Sequence, residues 1–132
     1  MKLFEIIEIF NDPPLMEMAN LFKTDTGMEY PIWIGRVGGQ HGPRVKVSNI
    51  VGKWRFNDNF VMDVSENPTV LTPNTCKISK ASIDKIRNWI IINYDDLMVL
   101  WWMFERHAAT VKDEDTGMVL SYDDIIDRLH KV

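Results

Sequence analysis

Cysteine is almost absent from this chain of 132 residues, which contains Cys76 alone. A single thiol excludes an intramolecular disulfide and any metal cluster built from several cysteines. Such sparing use of cysteine is typical of proteins in a reducing compartment, so the predicted location is the cytoplasm.

Long uncharged hydrophobic runs are also missing. The most apolar stretch, residues 89–104, is interrupted by Asn93, Asp95 and Asp96, which leaves no run of about 18 uncharged residues that could span a bilayer. Residues 1–10 contain two glutamates and are not expected to form a signal peptide. We therefore expect a soluble protein without a membrane partner.

The chain has no excess of positive charge, since its formal net charge is −4. This balance argues against a dominant attraction to nucleic acid over the whole surface and is compatible with a local basic patch. An apolar fraction of 45% and a charged fraction of 26% are ordinary for a globular protein. The length and the lack of repeats or linkers predict one domain over residues 1–132.

Strand patterns precede helix patterns, which predicts an α+β fold with an antiparallel meander in the N-terminal half and C-terminal helices packed on one face. Residues 3–10 are one expected strand, and residues 15–22 fit either a helix or a strand. Alternation of apolar and polar residues between Tyr30 and Val64 predicts four strands. These cover residues 32–37, 44–48, 53–56 and 60–64.

Helix signals follow in the C-terminal half. Pro68 and Pro73 bracket a short irregular or edge segment, after which Ser79 or Ser82 can cap a helix. The pair Asp95 and Asp96 indicates a break and a new helix start. Residues 112–117 form a predicted polar turn, and Ser121 with Asp124 resembles a capping box for a final short helix.

The glycine-rich stretch VGGQHGPRVKV at residues 37–47 poses a choice between a phosphate loop and a turn. Its spacing matches neither a Walker loop nor a dinucleotide loop. Pro43 and a predicted strand follow Gly42, so no helix N-terminus is offered to an anion. The pattern favours a hairpin loop whose glycines supply positive φ.

Positive charge is concentrated around this loop, because five of the fifteen cations and no acidic residue lie between Tyr30 and Asn57. The expected register places Lys46 opposite Arg55, and like charges in such pairs cost about 0.2 to 1 kcal/mol. The cations either form a solvated face near Asp58, Asp63 or Glu66, or bind an anionic partner. The candidate binding residues are Arg36, His41, Arg44, Lys46, Lys53 and Arg55. Trp54 and Phe56 are expected to face the core.

The segment LMVLWWMF, residues 97–104, is apolar around the whole helix circumference. A domain of this size rarely encloses a helix completely. The helix is therefore either buried between the sheet and other helices or partly exposed as a protein interface. The candidate interface residues are Met98, Trp101, Trp102 and Phe104, and the partner is another protein or a second copy.

Candidates for catalysis are few. The residues His41, His107 and His130 show no metal-binding spacing, and nothing around Cys76 indicates a nucleophile. We therefore predict no catalytic residue, no metal and no cofactor. A small hydrolase-like enzyme is the third alternative.

Two adjoining segments, TGMEYPIWIG and GQHGPRVKVSN, carry a family resemblance. Residues 26–57 resemble segments of small uncharacterised accessory proteins of tailed bacteriophages. The resemblance implies a host cytoplasm and a host or phage macromolecule as target, and it carries no functional residues. The expected function is that of a non-enzymatic accessory or regulatory protein that binds another protein. The alternative is a nucleic-acid-binding module that uses the basic hairpin.

Overall fold

A four-stranded antiparallel sheet forms the N-terminal half of the computed structural model, which describes residues 18–35 and 42–132. Its strands are β1 (Met18–Leu21), β2 (Ile32–Gly35), β3 (Arg44–Ser48) and β4 (Asn59–Asp63). They lie side by side in chain order, so the predicted α+β fold and its meander are confirmed. The segment that fitted either a helix or a strand contributes β1, and the strand expected at residues 3–10 lies outside the described residues.

The sheet has one apolar face because the strand register aligns the apolar positions. Directly opposed residues of antiparallel strands share a face. One row across the four strands is buried throughout and consists of Leu21, Ile32, Val47 and Phe60. The neighbouring row on the opposite face consists of Asn20, Trp33, Lys46 and Val61.

The strand predicted over residues 53–56 is wrong. Residues 49–58 form a loop, here named the β3–β4 loop, and β4 takes the place beside β3. In this register Val45 and Val47 oppose Met62 and Phe60, so four apolar side chains share the core face. Lys46 consequently pairs with Trp33 and Val61, and the expected opposition of Lys46 and Arg55 is also wrong.

The outer edge of β4 is covered by residues 69–72. The Leu71 N–H donates to the Val61 carbonyl at 2.7 Å, and Val70 forms an isolated bridge with Met62. This confirms the predicted edge segment between Pro68 and Pro73. Exposed edges can pair with other chains, and here this edge is satisfied within the chain.

The described residues contain four α-helices, namely α1 (Lys23–Thr26), which was not predicted, α2 (Lys80–Ile92), α3 (Tyr94–Glu105) and α4 (Tyr122–Asp127). Ser79 caps α2 by accepting the Ser82 N–H at 3.2 Å, and Asp95 and Asp96 lie in the first turn of α3 as expected. Ser121 and Asp124 form the predicted capping box of α4. No helix in residues 18–35 and 42–132 is long and apolar enough to cross a membrane.

A second, two-stranded sheet precedes α4 and was not predicted. It consists of β5 (Thr110–Lys112) and β6 (Val119–Ser121), and the predicted polar turn connects them. Strands of three residues are too short to show alternation in a sequence. The helices and this hairpin share one core with the four-stranded sheet, and α3 packs directly on β2.

Candidate functional site

An open groove with a volume of about 1140 Å³ lies beside α3. Five parts of the chain line it, namely the segment after β4, the end of α2, one side of α3, the β5–β6 hairpin and the segment that begins at the end of α4. The lining residues are Glu66, Ile91, Ile92, Asn93, Tyr94, Asp95, Asp96, Met98, Val99, Trp102, Val111, Lys112, Asp113, Asp115, Leu120, Arg128 and His130. We call this feature the α3 groove.

The all-round apolar character of α3 explains why this groove has an apolar wall. One stripe of the helix is buried in the core and consists of Leu97, Leu100, Met103 and Phe104. Met98, Val99 and Trp102 project from another side, stay half-buried and line the groove. A helix that is apolar on every side has therefore divided its surface between the core and an open channel.

The structure separates the four predicted interface residues. Met98 and Trp102 line the α3 groove, whereas Trp101 is half-buried and is not one of its lining residues. Phe104 is only 1% exposed and its ring stacks on Tyr122 with a centroid distance of 4.9 Å. Phe104 as an interface residue is therefore wrong, because its position on the buried stripe of α3 places it in the core.

Two isoleucines of the groove were missed by the sequence analysis. Ile91 and Ile92 are 42% and 50% exposed at the end of α2. Ile90 precedes them and is completely buried. Successive residues of a helix lie about 100° apart, so three consecutive isoleucines cannot all face one core. The three consecutive isoleucines therefore indicate in the sequence that part of this helix exposes apolar surface.

The rim of the α3 groove carries more negative than positive charge. Five carboxylates line it, against the cations Lys112 and Arg128 and the imidazole of His130. Arg128 donates to Asp96 through Nη2 at 2.6 Å and Nε at 3.0 Å, and this hydrogen bonding raises the pKa of Arg128. Its Nη1 lies 3.8 Å from Asp113. Arg128 thus joins α3 to the β5–β6 hairpin, while Glu66 and Asp95 have no ion-pair partner among the described residues.

Asn93 fixes the end of the groove where α2 meets α3. Its side chain is buried, donates to the His130 carbonyl at 3.0 Å and accepts the His130 N–H at 2.7 Å. The same amide donates to the Trp89 carbonyl at 2.9 Å. These bonds hold the segment after α4 against the helix junction, so the groove has a defined shape before any ligand binds.

Four of the six predicted cationic residues fall within the described residues, and none of these four lines the α3 groove. Arg44 and Lys46 lie on β3, and Lys53 and Arg55 lie in the β3–β4 loop, whereas Arg36 and His41 fall outside the described residues. We call the four described cations the basic patch. None of them makes an ion pair within the part of the chain that the structure describes.

Two of the carboxylates expected to neutralise this patch form hydrogen bonds with other residues, although Asp58 still interacts electrostatically with Arg55 and Asp63 lies opposite Arg44 on β4. Asp58 pairs with Lys77 at 3.0 Å, and hydrogen bonds from Lys77 and Asn49 hold its pKa below the usual value. Partial burial acts to raise the pKa of Asp63, but hydrogen bonds from Thr69 and Ser65 outweigh it and the pKa is lowered.

Aromatic side chains accompany the basic patch, contrary to expectation. Trp54 stacks on Trp33 with a centroid distance of 6.5 Å and an interplanar angle of 12°, and Lys46 Nζ lies 4.9 Å from the Trp33 centroid. Phe56 is 80% exposed. The prediction that Trp54 and Phe56 face the core is wrong, because the β3–β4 loop carries them away from the core face.

Residues 18–35 and 42–132 were also inspected for groups of side chains that could bind a metal ion. They contain no group of three or more histidine, cysteine, aspartate or glutamate side chains that could hold a metal ion. A scan against protein-family models, a search of curated proteins and a search of solved structures found no match to this chain. The resemblance of residues 26–57 to phage accessory proteins stays a prediction.

Proposed function

We propose that this chain is a non-enzymatic binding protein, and that its partner is a protein segment carrying apolar side chains and positive charge that docks in the α3 groove. The observation that supports this most strongly is the pair Ile91 and Ile92, left exposed beside Met98 and Trp102 in an open channel with surplus carboxylates. Contiguous exposed apolar surface with a polar rim is typical of interaction sites.

Apolar contacts are expected to supply most of the binding free energy, and charged contacts to supply specificity. Completing the burial of two half-exposed isoleucines contributes about 1 kcal/mol each. Micromolar affinity needs about 8 kcal/mol in total, so Met98, Trp102 and the floor of the groove must also be covered. The carboxylates of the rim mainly select a basic partner and accelerate association.

A matched pair of substitutions tests the proposal. Ile92 in the groove and Leu71 outside it are 50% and 45% exposed, so arginine at either position leaves the core intact. The probe is a fluorescently labelled amphipathic peptide of leucine and lysine, measured by anisotropy. Ile92→Arg is expected to weaken binding at least about tenfold, equivalent to about 1.4 kcal/mol, because it removes apolar contact and adds a repelling charge.

The control Leu71→Arg should bind the peptide like the unaltered protein. A second peptide in which glutamate replaces lysine should bind far more weakly than the first. Equal losses in both variants, or a preference for the glutamate peptide, would contradict the proposal.

Nucleic-acid binding is the second candidate, favoured by one observation. The basic patch lacks ion pairs, and its Lys46 lies over Trp33, which stacks on Trp54; cations beside stacked aromatic rings are the combination used to bind single strands. This function predicts that a labelled single-stranded oligonucleotide binds with an affinity that falls steeply with salt. Arg55→Gln should weaken binding and reduce that salt dependence, whereas Lys80→Gln on α2 should not. An oligonucleotide affinity that changes neither with salt concentration nor on Arg55→Gln would contradict this function.

A further inference from the structure

We infer that the α3 groove accepts the β3–β4 loop of a second copy of this chain, so that the protein associates head to tail. This inference rests on the proposed function, since it names the segment that occupies the same groove. Two surfaces of complementary chemistry on one chain support it, the apolar, carboxylate-rimmed α3 groove and the exposed β3–β4 loop.

The β3–β4 loop has the composition that the groove requires. Phe56 is 80% exposed and Val51 57% exposed, and Lys53 and Arg55 lie between them in sequence. Neither cation has an ion-pair partner among residues 18–35 and 42–132. The loop is therefore an exposed aromatic anchor with adjacent positive charge, which matches an apolar channel rimmed by carboxylates.

The loop is also held in a defined shape. The Gly52 N–H donates to the Glu29 carbonyl at 2.9 Å. The Asn59 side chain donates to the carbonyls of Arg55 and Phe56 at 3.1 and 2.8 Å. Because these bonds fix the backbone on both sides of Phe56, little conformational entropy is lost when the loop binds.

The loop and the groove are different surfaces of the same molecule. No residue of the β3–β4 loop is among those described as lining the groove. A contact between two unlike surfaces is heterologous, so a pair of copies still offers one free groove on one copy and one free loop on the other. Growth then continues to a ring or an open chain, and opposite charges make the association weaken with salt.

Complementary variants test this arrangement by sedimentation velocity. Phe56→Asp destroys the loop anchor and leaves the groove, whereas Ile92→Arg blocks the groove and leaves the loop. The unaltered protein and Leu71→Arg should show a mass that rises with concentration and falls with added salt. Each of the two blocked variants alone should be monomeric, and an equimolar mixture should form a heterodimer that grows no further.

A failure of the self-association inference can be distinguished from a failure of the proposed function. If the unaltered protein stays monomeric at every concentration while the leucine and lysine peptide still binds, self-association is wrong and the proposed function stands. If the peptide also fails to bind, both are wrong. A mixture of blocked variants that stays monomeric, or one that grows like the unaltered protein, also overturns the inference.

Discussion

At the scale of single residues, the backbone conformation at Gly27 permits only glycine. It ends α1 with a φ of +79°, in the left-handed region that favours glycine. A Cβ atom at this position would also overlap the carbonyl oxygen of Val132. Both conformation and contact therefore require glycine here.

Gly27→Ala is expected to reduce the free energy of unfolding by at least about 2 kcal/mol, since left-handed strain and a backbone clash add together. Gly52→Ala is the matched control, because Gly52 has a φ of +70° and open space around its Cβ position. Its cost should be about 1 kcal/mol, from the conformation alone. Urea denaturation measures both, and equal costs would show that Val132 does not constrain Gly27.

At the scale of elements, the junction of α2 and α3 depends on one polar side chain. Asn93 is the C-cap of α2 and the N-cap of α3, and its amide binds both backbone groups of His130. Buried polar groups that lose their partner cost about 1 to 3 kcal/mol. The junction therefore couples the helix pair to the segment that closes one end of the groove.

Asn93→Ala should lower the free energy of unfolding by about 2 to 3 kcal/mol, because the N–H and carbonyl of His130 lose their partners. Asn88→Ala provides the control, since Asn88 is exposed on α2 and its side chain makes no hydrogen bond with a described residue. Its effect should lie within about 0.5 kcal/mol of zero. Thermal unfolding followed by circular dichroism compares them, and a similar loss in both would contradict the role given to Asn93.

Helix starts that depend on hydrogen bonds between near neighbours in sequence were predictable. The choice of the strand that pairs with β3 was not. Ser79 and Ser121 cap their helices through bonds within three residues, so the sequence alone indicates both starts. The alternation over residues 53–56 fits a strand as well as the alternation over β4 does. However, β4 pairs with β3 over five residues, from Arg44 opposite Asp63 to Ser48 opposite Asn59. Both segments follow β3 closely in sequence, and local periodicity does not show which of two candidate strands pairs with a neighbour.

At the scale of the whole molecule, the candidate site was half predictable. Met98 and Trp102 were expected at an interface because a fully apolar helix must leave some surface uncovered. The carboxylates of the groove come from distant segments, including Asp95 on α3 and Asp113 after β5, and only the fold brings them together. A net charge of −4 also conceals the separation of a basic patch from an acidic groove.

The most direct test of the α3 groove as a docking site is chemical-shift mapping of the ¹⁵N-labelled protein during titration with the leucine and lysine peptide. We expect the perturbed backbone amides to cluster at residues 91–99, 111–113 and 128–130. Perturbations confined to the basic patch at residues 44–46 and 53–55, or none at saturating peptide, would contradict it.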